Sequence, residues 1–243
     1  MLLKIRNLLT PQEIARLAAL SRELRFVEGR ASNPANETKN NLQADTSDPK
    51  HAEAAQLVST AFARSREFMD FALPKRVAPP LLSRYSPGMK YGAHADAALI
   101  PLDRSRLRSD VSCTVFLNDP ATYEGGELSI VIGNQAIAFK GAPGDAILYP
   151  STTLHEVIPV RSGERLVAIT FIESYIADPH QRMQVYELNE IAAIEGLRMN
   201  PESRCMVGTS IVERRVRWAR RLCRSSRPPT HQATPSCRGR ATS

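Results

Sequence analysis

Apolar residues recur every three or four positions over the first 75 residues of the chain, which predicts helices there. A T-x-x-E capping box at residues 10–13 predicts that the first helix begins at Pro11. A second helix is predicted from Asp48-Pro49 to about residue 73, and the polar, Asn-rich residues 29–45 predict a loop between the two. The apolar positions predicted to face inward are Ile14, Leu17, Leu20 and Leu24, then Ala55, Val58, Phe62 and Phe71.

From residue 81 onward, short β-rich runs are separated by turns that contain Gly, Pro or Asn. The predicted strands are "LLSRY", "YGAHAD", "VSCTVFLN", "ELSIVI", "QAIAFK", "DAILYP", "LHEVIPV" and "RLVAITFIES". Such a series without intervening helices is typical of a double-sheet barrel or jelly roll. A third helix is predicted after Asp178-Pro179, with apolar positions Met183, Tyr186, Ile191 and Ile194. The expected fold class is therefore mainly β, with flanking α-helices around a jelly-roll core.

The length of 243 residues is sufficient for one enzyme-sized domain with an appendage. The chain has no run that approaches the roughly 18 apolar residues of a membrane span. The N-terminal residues include Lys4 and Arg6 among the apolar ones and contain no small-residue cleavage site. We therefore expect a cytoplasmic protein that does not interact with a membrane.

The four cysteines form no C-x-x-C pair, so neither a zinc knuckle nor a thioredoxin-like motif is predicted. A disulfide framework is not expected in a chain of this length and compartment. Cys113 alternates with Val111 and Val115 and is predicted to be a core residue rather than a nucleophile. The other three are Cys205, Cys223 and Cys237.

The excess of basic residues that gives the chain its net charge of +7 lies at the C-terminal end. Residues 196–243 contain 11 arginines, no lysine and two acids, whereas the rest contains 21 basic and 23 acidic residues. Beyond the short segment "IVERRVRWARRL", this end also lacks hydrophobic periodicity. It can be interpreted as a divergent or frame-shifted end, as a basic extension for nucleic acid or a membrane surface, or as a helix packed on the body. Nucleic-acid binding is not expected for the near-neutral body.

Two of the five histidines lie on predicted strands. His94 and Asp96 are two residues apart, so they are predicted to face the same side of a strand. His155 follows after 58 intervening residues, on "LHEVIPV". Two imidazoles and one carboxylate are the facial triad that binds non-haem Fe(II) and leaves positions open for a cosubstrate and dioxygen. The remaining histidines, predicted to be solvated surface residues, are His51, His180 and His231.

Arg165 is the first residue of the otherwise apolar strand "RLVAITFIES", ten residues after His155. An inward-facing guanidinium could bind a dicarboxylate cosubstrate bidentately. The alternative is an arginine at the mouth of the strand that is solvated or paired with Glu164. A second pair of acids, Glu124 and Glu127 in "YEGGEL", is interpreted as flanking a tight turn rather than as an acid/base pair.

The H-A-D motif, "LHEVIPV" and Arg165 resemble the iron- and 2-oxoglutarate-dependent dioxygenases of the prolyl 4-hydroxylase type. From the first helix to about residue 195, "KNNLQAD", "LLSRYSPGMKYGAHAD", "RSDVSCTVFLNDPATYEGGEL" and "GDAILYPSTTLHEVIPV" more closely resemble bacterial PKHD-type hydroxylases. The resemblance implies a double-stranded β-helix in which His94, Asp96 and His155 are the catalytic iron ligands. It also implies that Arg165 binds 2-oxoglutarate. Tyr85 is either a second contact to that cosubstrate or an ordinary strand tyrosine.

The resemblance implies Fe(II), 2-oxoglutarate and dioxygen, with ascorbate as a reductant, and hydroxylation of an unidentified small-molecule or peptide substrate. Formation of a homo-oligomer is left open. Residues 29–46 and 97–110, the latter with Arg104, Arg106 and Arg108, are predicted to gate or select the substrate. The alternatives are a non-catalytic, cupin-like metal-binding barrel and a nucleic-acid-binding protein that acts through its tail. The predicted regions are 1–75 (helical support), 76–176 (dioxygenase domain), 177–197 (C-terminal helix) and 198–243 (basic, disordered or divergent tail).

Overall fold

A computed structural model of the chain describes residues 2–32 and 36–196. Its helices are α1 (Pro11–Glu23), α2 (Pro49–Arg64), α3 (Arg66–Ala72) and α4 (Pro179–Gly196). Its strands are β1 (Leu3–Ile5), β2 (Phe26–Glu28), β3 (Lys39–Asn40), β4 (Leu42–Ala44), β5 (Pro74–Val77), β6 (Leu81–Tyr85), β7 (Lys90–His94), β8 (Leu99–Leu102), β9 (Ser105–Arg108), β10 (Val111–Phe116), β11 (Glu124–Gly125), β12 (Leu128–Ile132), β13 (Gln135–Phe139), β14 (Ala146–Pro150), β15 (His155–Val157), β16 (Val160–Ser162) and β17 (Arg165–Ser174).

Two antiparallel sheets form the core of the molecule. The major sheet has the order β1-β14-β10-β17-β6-β4-β2, with β5 also paired to β17. The minor sheet has the order β13-β12-β15-β7-β3. Buried side chains from both sheets and from β16 pack together in a cluster that we call the barrel core: Tyr85, Phe116, Leu128, Ile130, Ile147, Tyr149, Val157, Val160 and Val167. This arrangement confirms the predicted mainly β, jelly-roll fold with flanking helices.

The two faces of the major sheet bury different sets of residues because side chains alternate along each strand. On β10, Val111, Cys113 and Val115 pack with the helices, whereas Ser112 and Phe116 face the minor sheet. The helix-side core includes Leu17, Leu20, Val58, Phe62, Phe68, Leu82, Leu148 and Ala168. Cys113 is 1% exposed in that core, and burial raises the pKa of its thiol, which confirms the prediction of a core residue.

Helix α1 begins as the capping box predicts. The Thr10 hydroxyl accepts a hydrogen bond from the Glu13 backbone N–H at 3.3 Å, and the Glu13 carboxylate accepts from the Thr10 N–H at 2.8 Å. The same carboxylate binds the guanidinium of Arg64 at the end of α2, so one acid caps α1 and joins the two helices. These hydrogen bonds, that from Arg64 above all, lower the pKa of Glu13 to about 2.

This depressed pKa predicts a pH-dependent contribution to folding. A carboxyl whose pKa is lower in the folded than in the unfolded state stabilises the fold above the unfolded value of 4.5, and the contribution is lost as the pH falls towards 2. Glu13→Gln should therefore lower the free energy of unfolding at pH 7, and the difference from wild type should shrink between about pH 4.5 and pH 2. Urea unfolding over this range measures it, with Glu28→Gln on β2 as the control. A difference independent of pH would contradict the assignment.

The single helix predicted for residues 48–73 is wrong. The helix is interrupted at Ser65, which closes α2 and caps α3, with its hydroxyl accepting from the Phe68 N–H at 3.2 Å. The loop predictions were also incomplete. Residues 29–46 contain β3 and β4, which pair with β7 and β6, and residues 97–110 form the β8–β9 hairpin. The predicted strand "LHEVIPV" is divided into β15 and β16 before and after Ile158-Pro159, since proline has no N–H for a ladder.

Helix α4 begins as predicted, with the Asp178 carboxylate accepting a hydrogen bond from the Gln181 N–H at 2.7 Å. Its predicted apolar positions Ile191 and Ile194 are exposed, whereas Arg182 is buried and donates to the Ile176 carbonyl. In the described residues there is no helix that is both long and apolar enough to cross a membrane. The predictions for the basic tail, His231 and the three C-terminal cysteines concern residues outside the described part of the chain, and the proposed division into regions stays a prediction.

Candidate active site

His94 and His155 are direct neighbours in the minor sheet. β7 ends at His94, β15 begins at His155, and the two residues are paired across the antiparallel ladder. Residues paired in this way project to the same face of the sheet. Their ring centroids are 4.3 Å apart. The pairing of two strands that are distant in the sequence thus brings two imidazoles together at one end of the barrel.

Asp96 completes this cluster from a loop. We predicted it on the same strand as His94, but β7 ends at His94, and the Asp96 N–H donates to the Ser151 carbonyl at 3.0 Å. Its carboxylate oxygens lie 3.8 Å from His94 Nε2 and 3.7 Å from His155 Nε2. One ligand atom from each of the three residues lies within 4.8 Å of the others. The predicted triad residues are therefore brought together.

Both imidazoles are oriented by backbone carbonyls. His94 Nδ1 lies 2.7 Å from the Gly92 carbonyl, and His155 Nδ1 lies 2.9 Å from the Thr153 carbonyl. A carbonyl only accepts, so each Nδ1 carries the proton and each Nε2 presents a lone pair to the centre of the cluster. Burial and the neighbouring His155 lower the pKa of His94, which favours the neutral form that binds metals.

Aromatic rings pack around the two imidazoles. Tyr91 stacks on His94 with ring centroids 3.7 Å apart, and Tyr149 contacts His155 edge-on at 4.9 Å. Simple strand alternation would place Tyr91 and His94 on opposite faces. The register shift in the β7–β15 pairing brings them to the same face. These rings cover one side of the cluster.

Arg165 is the largest side chain among the fully buried ones, with 1% exposure, and lies inside the barrel. It is paired with Tyr85 across β17 and β6, and its guanidinium carbon lies 4.9 Å from the centroid of that ring. In the described part of the chain, Arg165 Nε and Nη1 have no hydrogen-bond partner. Burial lowers the pKa of this guanidinium. Glu164, the alternative partner considered from the sequence, instead lies 3.3 Å from Arg84 Nε.

A buried cation with unsatisfied donors is costly unless an anion joins it. Tyr85 is also buried, and burial raises the pKa of its phenol to about 12, so it is a neutral hydroxyl that can donate beside Arg165. Tyr149 lies near both Arg165 and His155, and so connects the guanidinium to the triad. The arrangement fits a carboxylate at Arg165 on a molecule that extends towards the cluster.

In "YEGGEL", Glu124 and Gly125 form the short strand β11, which pairs with β16 through a register shift, so the predicted tight turn is wrong. Gly125 and Gly126 have φ of +72° and +68°, in the left-handed region that favours glycine. A Cβ at Gly126 would lie 3.0 Å from Arg165 Cδ, so the glycine also leaves room for the arginine. Glu124, on β11, is exposed.

His180 is exposed, as predicted, but His51 is 6% exposed, so its prediction as a surface residue was wrong. His51 lies in the first turn of α2, on the side of the helix that packs against the protein, and burial of the imidazole lowers its pKa. This histidine lies outside the triad.

Sequence reasoning missed the buried polar residues on and between β3 and β4. Lys39, Asn41 and Gln43 are all buried, and they alternate within the stretch interpreted as a loop. Burial lowers the pKa of Lys39 to about 8, and its Nζ lies 5.2 Å from the centroid of the Tyr91 ring. Residues 39–41 of "KNNLQAD" are all polar, so no apolar alternation was present to indicate these strands.

The donor set is chemically suited to a divalent first-row metal, because two neutral imidazoles and one carboxylate on one face form a facial triad. The fold and this site define the class of protein. Residues 80–173 match the 2OG-Fe(II) oxygenase superfamily, where 2OG denotes 2-oxoglutarate.

Individual relatives define the family. A PKHD-type hydroxylase of Sphingopyxis alaskensis is 51% identical over 198 residues, covering 82% of this chain and 90% of that protein. A PKHD-type hydroxylase of Nitrosomonas eutropha is 39% identical over 207 residues, covering 82% and 89%. A Trichoplax adhaerens prolyl hydroxylase, solved with a hypoxia inducible factor peptide, shares the fold with a TM-score of 0.55 at 16% identity, covering 75% and 86%. The chain belongs to the PKHD-type hydroxylases and is a dioxygenase.

Proposed function

We propose that this protein hydroxylates a small-molecule or peptide substrate and couples the reaction to the oxidative decarboxylation of 2-oxoglutarate, with Fe(II) held by His94, Asp96 and His155. One observation carries the proposal. Three ligand atoms within 4.8 Å of one another share a barrel with a buried guanidinium whose Nε and Nη1 have no partner in the described residues. The first feature suits a metal ion and the second suits a dicarboxylate.

The side chains of the site would divide the work. His94 and His155 would present Nε2 lone pairs, with their Nδ1 protons held by carbonyls, and Asp96 would offset part of the metal charge. Arg165 would bind the distal carboxylate of 2-oxoglutarate bidentately, and Tyr85 would donate a further hydrogen bond. Iron and 2-oxoglutarate, when bound, supply the oxidising chemistry that activates dioxygen. The barrel core and the Tyr91 and Tyr149 rings would exclude water.

A non-catalytic metal-binding barrel is the second candidate, and Arg165 argues against it. Such a barrel needs the triad but gains nothing from a buried guanidinium with unsatisfied donors. Ascorbate as a reductant and a cytoplasmic location stay predictions. The β8–β9 hairpin and Lys39 are proposed to contribute to selection of the substrate.

Anaerobic addition of Fe(II) and 2-oxoglutarate to the metal-free protein separates the two candidates. We expect a visible charge-transfer band, because a bidentate keto acid on Fe(II) absorbs where the free components do not. Succinate release should follow on admission of air. The matched control is glutarate, which has two carboxylates but no keto group and should give no band. Metal binding without a band or succinate would favour the non-catalytic barrel.

A further inference from the structure

Three buried serines form a chain of hydroxyl groups behind Asp96. Ser109 Oγ lies 2.8 Å from Ser151 Oγ, which lies 2.8 Å from Ser112 Oγ, and Ser112 Oγ lies 2.5 Å from Asp96 Oδ2. The serines are 7%, 2% and 2% exposed for Ser109, Ser112 and Ser151. They come from three places in the chain: the residue after β9, strand β10 and the residue after β14.

The direction of each hydrogen bond follows from the carboxylate at the end of the chain. An ionised carboxylate only accepts, so Ser112 uses its one proton to donate to Asp96. Ser112 must then accept from Ser151, and Ser151 accepts from Ser109. All three protons therefore point towards Asp96, and hydrogen bonds aligned in this way polarise and strengthen one another.

Asp96 needs such support because it lies outside the sheet ladder. β7 ends at His94, so the Asp96 backbone is held by its hydrogen bond to the Ser151 carbonyl at 3.0 Å. The Ser151 N–H in turn donates to the Asp110 carbonyl at 3.2 Å. Ser151 thus holds Asp96 twice, directly through the main chain and indirectly through the Ser112 hydroxyl.

We infer that Ser112 and Ser151 are positioning residues that hold the Asp96 carboxylate at the cluster. Both oxygens lie near the imidazoles, Oδ1 at 3.8 Å from His94 Nε2 and Oδ2 at 3.7 Å from His155 Nε2, but Oδ2 also accepts the bond from Ser112, which leaves Oδ1 as the freer oxygen for the metal. This inference rests on the proposed function, in which Asp96 is a metal ligand. The short bond from Ser112 to Oδ2 would oppose bidentate binding of a metal, so Asp96 would hold the metal through one oxygen and leave room for the cosubstrate. Loss of a partner that orients a ligand typically lowers metal affinity by about 10–100-fold.

Anaerobic titration of the metal-free protein with Co²⁺, followed by its visible d–d bands, tests the inference independently of turnover. Ser112→Ala should weaken Co²⁺ binding by about 10–100-fold and change the band shape, since the freed Oδ2 can also coordinate. Ser151→Ala should weaken binding less, and Ser112→Thr, which keeps the hydroxyl, should restore most of the affinity. Ser151→Ala also provides the test if Ser112→Ala does not fold.

Two control variants make the outcomes distinguishable. Thr170→Val removes another buried hydroxyl, which donates to the Ala78 carbonyl at 2.6 Å from the helix-side face of β17, and it should leave Co²⁺ binding unchanged. Asp96→Ala should abolish binding. If Asp96→Ala binds Co²⁺ like wild type, the metal site itself is misassigned. If Asp96→Ala loses Co²⁺ but Ser112→Ala and Ser151→Ala keep wild-type affinity and spectrum, the positioning role is overturned and the proposed function stands.

Discussion

Replacement of His94 by alanine should abolish metal-dependent release of succinate. His94 contributes one of only three protein ligand atoms in the cluster, and its Nε2 is directed inward by the hydrogen bond of Nδ1 to the Gly92 carbonyl. Loss of a partner that only orients a ligand costs about 10–100-fold in metal affinity, so loss of the ligand itself should cost more than about 100-fold. Titration with Fe(II) under anaerobic conditions and a succinate assay measure both effects.

The control for this variant is His180→Ala, which removes an exposed histidine from α4 and should leave metal binding and turnover at wild-type levels. Circular dichroism must show that His94→Ala is folded, since Tyr91 stacks on the deleted ring at 3.7 Å. A folded His94→Ala protein that still releases succinate would remove this histidine from the iron site.

Replacement of Arg165 by methionine should weaken the use of 2-oxoglutarate without weakening metal binding. A charge-assisted hydrogen-bond contact is worth about 1.5–3 kcal/mol, which corresponds to a KM for 2-oxoglutarate raised by roughly 10–100-fold. Methionine keeps much of the apolar stem and removes the buried charge. The cosubstrate-free protein should therefore not lose stability, because the desolvation cost of the guanidinium is removed with it.

Steady-state kinetics with varied 2-oxoglutarate and thermal unfolding of the metal-free protein measure these two effects. Arg165→Lys should give an intermediate KM, since lysine keeps the charge but lacks the planar fork. Arg84→Met, on the neighbouring strand β6, is the matched control and should leave the KM unchanged. An unaltered KM in Arg165→Met would remove Arg165 from cosubstrate binding.

Local patterns predicted much of the barrel. Strands β6 and β17 begin and end where the sequence predicted, because each is an apolar run bounded by turn residues or proline. The triad and Arg165 were predicted from residue type, spacing and resemblance, and the structure brings the three triad residues together. The helix break at Ser65 was missed because apolar periodicity continues across it, with no Gly or Pro to mark the interruption.

The missed elements depend on contacts between distant parts of the chain. β3 and β4 are too short and polar to be predicted locally, and they exist because β7 and β6 supply their hydrogen-bond partners. Likewise, nothing local in the sequence shows that Ser109, Ser112 and Ser151 meet at Asp96. A register shift between β7 and β15, also set by pairing, decides that Tyr91 covers His94.

The pairing of His94 with His155 across two adjacent strands has a consequence for detecting distant relatives. Paired residues of an antiparallel ladder have Cα atoms about 4.5–5.5 Å apart, and this spacing fixes the distance between the backbone positions of His94 and His155. The intervening polypeptide leaves the minor sheet and returns to it, so insertions or deletions there can change the linear count without moving either imidazole. A search pattern with a fixed interval between the histidines would therefore overlook homologues whose centre is geometrically the same.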